Sequence, residues 1–123
     1  MEKEKEKFKK DFIRKLIRVS IKTLKLGEKM RKNRIFWPII DQVVRSTTSI
    51  GANIVEAKAS SSKKDYLRFF EIALKSANET KYWLILIKEA SSEFTKETNA
   101  LLREVDEISK IIGSSVLTLK GKK

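Results

Sequence analysis

The sequence contains neither cysteine nor histidine. The first absence excludes disulfides, thiolate metal sites and thiol nucleophiles, and the second removes the commonest general base at neutral pH. A di-iron helical bundle, which needs paired Glu-x-x-His segments, is excluded as well. One proline and four glycines leave few of the breakers that turn-rich β architectures require. The glycines at 27, 51, 113 and 121 are scattered, so no loop has the form of a phosphate cradle. Long apolar runs are missing too. The longest, Tyr82 to Ile87, is far too short to span a bilayer. The N-terminus alternates Glu and Lys from Glu2 to Lys10, where a secretory signal would be apolar. These absences predict a soluble protein of the reducing cytoplasm that uses no cofactor and no metal.

What is present is helical. A chain of 123 residues, 41% apolar, is expected to form one domain over 1–123. Phe12, Ile13, Leu16, Ser20, Thr23, Leu24 and Gly27 recur at three- and four-residue steps and predict a first helix over about Lys5 to Lys29. Phe36, Ile40, Val43, Thr47, Ile50, Ile54 and Ala57 predict a second, over about Phe36 to Lys58, with Pro38 in its first turn where a missing N–H costs least. Ser62 followed by Asp65 has the form of a capping box and opens a third helix carrying Tyr66, Phe69, Phe70, Ala73, Ala77, Leu84 and Ile87. Thr95 is the expected N-cap of a fourth, with the apolar series Leu101, Val105, Ile108, Ile112 and Leu119. The basic N-terminal segment and the lysine tail are expected to fray. Short connections between long amphipathic helices favour antiparallel neighbours, so the predicted fold is an all-α, up-down-up-down four-helix bundle.

Two segments carry a family resemblance. Ser49 to Ala57 reads Ser-Ile-Gly-Ala-Asn-Ile-Val-Glu-Ala, and Ser62 to Glu79 reads Ser-Lys-Lys-Asp-Tyr-Leu-Arg-Phe-Phe-Glu-Ile-Ala-Leu-Lys-Ser-Ala-Asn-Glu. Together they resemble the four-helix-bundle proteins encoded in intervening sequences of bacterial 23S rRNA genes, a family related in fold to the accessory variability proteins of diversity-generating retroelements. The match is best over Gln42 to Ala90. It implies a homo-oligomeric ring, commonly a pentamer, with nucleic-acid binding as the expected property and no known enzymatic activity. The sequence departs from the family pattern at Gly51, where proline is usual, and at Ala57 and Lys75, where glycine is usual.

Catalytic readings find little support. Ser60 with Lys63 and Ser61 with Lys64 satisfy a Ser-x-x-Lys form but lack its companion motifs, and they read instead as a helix-opening turn. Glu104 and Glu107 could hold a hard cation only weakly; a solvated helix face is the simpler reading.

Three features are candidates for function. Lys and Arg number 28 against 16 Asp and Glu, a formal charge of +12, and thirteen cations against five acids fall within residues 1–33. At helical spacing Lys7, Arg14, Arg18, Lys22, Lys25 and Lys29 share one outward sector, interrupted mainly by Asp11. Such a row suits a phosphate backbone, since each neutralised phosphate releases condensed counterions; its bland alternative is a solvated face. The aromatics Phe36, Trp37, Tyr82 and Trp83 could stack on bases, although packing is the commoner use. Secondly, Tyr82 to Ile87 covers the whole circumference of helix 3, more than one core can bury, so Tyr82, Trp83 and Leu86 are expected to form an oligomer or partner interface. Thirdly, Arg45, Asn53, Glu56, Ser76 and Glu79 form a polar set in which antiparallel pairing predicts an Arg45–Glu79 ion pair that fixes register. The preferred reading is a homo-oligomer that binds RNA or DNA through helix 1. The alternative is a protein-interaction adaptor using helix 3, and attachment to a membrane surface ranks last because helix 1 has few bulky apolar anchors to spare.

Overall fold

The computed structural model describes residues 2–121. Four helices run through it: α1 (Glu2–Met30), α2 (Trp37–Ala59), α3 (Lys63–Ala90) and α4 (Thr95–Leu119), with 3-10 turns at Arg34–Phe36 and Ser92–Phe94. They form an antiparallel up-down-up-down bundle. The α2–α3 and α3–α4 pairs make the most extensive contacts, α1–α2 follows, and α1–α4 is the slightest of the four neighbouring pairs.

The helix ends show how the sequence sets the connections. Pro38 sits in the first turn of α2, and the Ser62 hydroxyl accepts the Asp65 amide at 3.1 Å to open α3. The expectation for α4 is corrected: Thr95 does not cap it. The Ser91 hydroxyl instead accepts the Glu93 amide at 3.3 Å and starts a 3-10 turn, and the Thr95 hydroxyl donates back to the Ser92 carbonyl at 3.0 Å. The helix α1 begins at Glu2. There Glu4 and Lys7, and Glu6 and Lys10, lie at favourable helical spacing, and acids suit the first turn. The expected fraying of Lys122 and Lys123 lies outside the described residues.

The core is a continuous apolar cluster drawn from all four helices, with Val19, Ile50, Ile54, Leu84, Ile108 and Ile112 at most 1% exposed. Relative to the expected series, α1 is rotated. Val19, Leu26 and Met30 are buried, whereas Leu24 is 51% exposed. In α4 Val116 is buried and Leu119 only half-buried. Gly27 lets α1 and α2 approach closely, because a Cβ there would come within 3.0 Å of Ile40 Cγ2.

Between α2 and α3 the core contains small hydroxyls. Thr80 Oγ1 lies 2.9 Å from Ser46 Oγ and 2.8 Å from the Ser76 carbonyl, the Ser49 and Ser76 hydroxyls are 3.0 Å apart, and Asn53 donates to the Ser49 carbonyl at 2.8 Å. Among the described residues no buried side-chain nitrogen or oxygen lacks a partner, so these groups avoid the desolvation cost of an orphaned polar atom.

Candidate nucleic-acid interface

The cations of α1 divide into two rows. Lys15, Lys22 and Lys29, spaced by seven residues, turn toward α4. Lys22 Nζ lies 3.0 and 3.1 Å from the two carboxylate oxygens of Glu104, Lys29 Nζ lies 3.3 Å from Glu97, and Lys15 pairs with Glu107. Two members of the expected outward sector, Lys22 and Lys29, are exposed as expected but also reach across to carboxylates of α4 in an interhelical seam. The cause is geometric: Lys22 lies about 60° and Lys29 about 40° round the helix from Lys25, enough to bring a four-carbon stem within reach of the next helix. The carboxylates proposed as weak cation ligands, Glu104 and Glu107, are occupied by the same lysines.

The second row consists of Lys7, Arg14, Arg18 and Lys25. All four are exposed, and none forms an ion pair within 4.0 Å among the described residues. Their positive field is consequently less compensated than that of the seam.

The seam leaves an electrostatic signature on α4. Glu97 has its carboxyl pKa lowered, first by its own backbone amide near the start of α4 and then by Lys29. Lys15 lowers that of Glu107 by hydrogen bonding, and Lys110, with help from Lys81, lowers that of Asp106. Burial raises the Tyr66 phenol.

On α3 the three residues expected at an interface separate. Tyr82 is 60% exposed, Leu86 is half-buried, and Trp83 packs against the core with its indole N–H donating to Glu79 at 2.9 Å. The outward orientation expected for Trp83 is thus corrected, since a neighbouring carboxylate satisfies its polar edge and its ring fills the flank of the bundle. Ile85, 49% exposed, was not singled out and lies beside Tyr82; its place in a run that covers the whole helix was the available signal. Arg45 and Glu79 form an ion pair, with Gln42 also accepting from Arg45 at 2.9 Å. Of the remaining polar set, Asn53 and Ser76 join the hydroxyl chain described above, while Glu56 is exposed. Sequence reasoning missed Ser46, Ser49 and Thr80, whose polarity gave no hint of burial. Of the aromatics considered for stacking, Phe36 packs against the core, and Trp37 is 44% exposed, lies under Arg34 and donates its N–H to the Arg31 carbonyl.

Among the described residues there is no group of three or more carboxylates arranged to hold a metal ion, and no helix is long and apolar enough to cross a membrane. Fold and surface together define a basic four-helix bundle organised around charged helix edges. More particularly, the chain belongs to the 23S rRNA-intervening sequence protein family, whose model matches residues 9–114. The crystal structure of a protein of unknown function from the S23 ribosomal protein family of Bacteroides thetaiotaomicron is similar, with a TM-score of 0.80 and 30% identity over 85% of this chain and 97% of that one. Neither family nor neighbour is named for an enzymatic activity. No curated protein matches the chain.

Proposed function

We propose that the protein is a non-enzymatic, homo-oligomeric bundle that holds RNA or DNA by its phosphate backbone along α1, without reading particular bases. The observation that carries this reading is the row Lys7, Arg14, Arg18 and Lys25, exposed and, among the described residues, without an ion pair within 4.0 Å, while the neighbouring row is paired with α4. Like charges along one helix edge repel each other, and an anionic polymer reverses that sign. The family's association with 23S rRNA genes supports the choice of polymer. Self-association is supported by the exposed Tyr82 and Ile85 beside half-buried Leu86, and the resemblance favours a pentamer.

The test is a gel shift with single-stranded RNA over a salt series, comparing the protein with a variant carrying glutamine at Lys7, Arg14, Arg18 and Lys25. Steep loss of binding with salt, and collapse in the variant, is expected; unchanged affinity in the variant rejects the α1 site. The second reading, an adaptor holding a protein partner on α3, rests on the same exposed Tyr82 and Ile85 and requires no response to salt in RNA binding.

A further inference from the structure

The row of unpaired cations on α1 ends at Lys25, and a groove opens beside it. Between the last turns of α1 and the first turns of α2 lies an open cavity of about 710 Å³, a size that suits a small flat ligand. Its floor is apolar, made of buried Gly27 and Ile40 with half-buried Val44. Trp37 and Asp41 line it from α2, one helical turn apart, and Glu28 lines it from α1.

Trp37 is held in place before any ligand arrives. Its indole N–H donates to the Arg31 carbonyl at 3.0 Å, the Arg34 guanidinium lies 5.2 Å from the ring centroid, and Pro38 stiffens the adjoining backbone. The residue nevertheless stays 44% exposed. With its one donor already satisfied, what the side chain offers the groove is aromatic surface. Trp37 differs in this from Trp83, which packs against the core. The carboxylates supply the complementary half. Neither Glu28 nor Asp41 makes an ion pair within 4.0 Å among the described residues, so both are open to N–H donors.

We infer that the groove receives one unpaired base of the strand bound along α1, stacked on Trp37 with its Watson–Crick edge toward Glu28 and Asp41. A phosphate there would be repelled by two carboxylates. A paired base has its edge engaged by its partner and its faces by its neighbours, so a perfect duplex cannot fill the site. An aliphatic segment of a protein would strip water from both carboxylates and give them no donor. Every base, by contrast, has a π-face and at least one N–H on its Watson–Crick edge, which makes the site tolerant of sequence. The inference rests on the proposed binding of nucleic acid along α1 and deepens it, since the ligand must be single-stranded, or looped or bulged, where it passes Lys25. It uses none of the four cations of the row and no part of the Tyr82 patch, so it holds for a ring of any subunit number.

Tryptophan emission tests the site. The chain has two tryptophans, and Trp83→Phe leaves Trp37 as the sole reporter. A single-stranded RNA oligonucleotide is expected to quench it, and the same sequence as a perfect duplex to leave it nearly unchanged. Affinity gives a second readout. Trp37→Leu is expected to weaken single-strand binding about tenfold with an unaltered slope against salt, because no phosphate contact is lost, while Trp37→Phe keeps most of the affinity. Glu28→Ala combined with Asp41→Ala makes the chain more positive, which by long-range attraction alone strengthens binding to any polyanion; the expected result is a narrower advantage of single strand over duplex. Emission unmoved by a single strand that binds, equal quenching by the duplex, Trp37→Leu binding as tightly as the original protein, or a strand preference that survives loss of both carboxylates would each overturn the base site while leaving the phosphate row standing. An original protein that binds no RNA overturns the proposed function, and the site with it.

Discussion

Lys25→Gln and Lys22→Gln remove the same formal charge from the same helix, three residues apart, and are expected to affect RNA binding unequally. Lys22 shares its charge with Glu104 at 3.0 and 3.1 Å, so a phosphate that recruits it must displace a carboxylate already in place. Lys25 has no such competitor among the described residues. Each phosphate contact on a single strand contributes about −0.7 to the slope of log affinity against log salt. Four uncompensated cations therefore give a slope of at most about −2.8 per protomer, equivalent to a loss of about 50-fold between ~50 and ~200 mM salt. Lys25→Gln should flatten the slope by about 0.7, and Lys22→Gln by less than half as much. Fluorescence anisotropy of a labelled single-stranded oligonucleotide, titrated at several salt concentrations, measures both. Equal flattening by the two variants would show that the Glu104 pair does not hold Lys22 in solution, and a slope near zero in the original protein would refute phosphate binding along α1.

Three further outcomes test the fold. Gly113→Ala should stabilise the protein by about 1 kcal/mol, raising its melting temperature by roughly 4 °C at fixed protein concentration, because helix propensity improves; the added Cβ meets only Leu74 Cδ1 at 4.0 Å. Leu84→Ala, at a site 0% exposed, should cost about 2–5 kcal/mol in urea unfolding. Glu97, Asp106 and Glu107 have pKa values lowered in the folded protein, so their stabilisation is complete above the ordinary carboxylate range and is lost as pH falls through the lowered folded values. Thermal melts from neutral to acidic pH should show that decline, and a variant with glutamine at Lys15, Lys22 and Lys29 should show less of it.

The number and order of helices were legible because apolar residues recur at three- and four-residue steps between short polar connections, and no other architecture buries four such stripes with so little loop. For α2 the expected core positions from Ile40 to Ala57 are those found buried. For α1, Phe12, Leu16, Thr23 and Gly27 are buried as expected, but Leu24 is exposed and Val19, Leu26 and Met30 take inward places that were not expected, and the reason lies in the sequence. Two series with coiled-coil spacing overlap in that helix, one through Leu16, Val19 and Leu26 and the other through Ile17, Ile21 and Leu24, and periodicity alone cannot say which turns inward. The candidate site suffered similarly. Helical spacing places Lys22 and Lys29 near Lys25, but their neutralisation depends on Glu97 and Glu104, some seventy to eighty positions away along the chain, a proximity created only by the return of α4.

The α1–α4 edge carries three lysine–glutamate pairs over an apolar core that α1 shares with the other helices through Leu16, Val19 and Leu26. Ions in solution screen exposed charges far more than they affect apolar burial. The helix proposed to carry the ligand thus also has an edge whose ion pairs weaken in brine, so a fall in affinity at high ionic strength has two origins to separate. Amide exchange of α1 followed across the same series separates them: retained protection assigns the loss to the ligand, and faster exchange confined to α1 assigns part of it to a loosening scaffold.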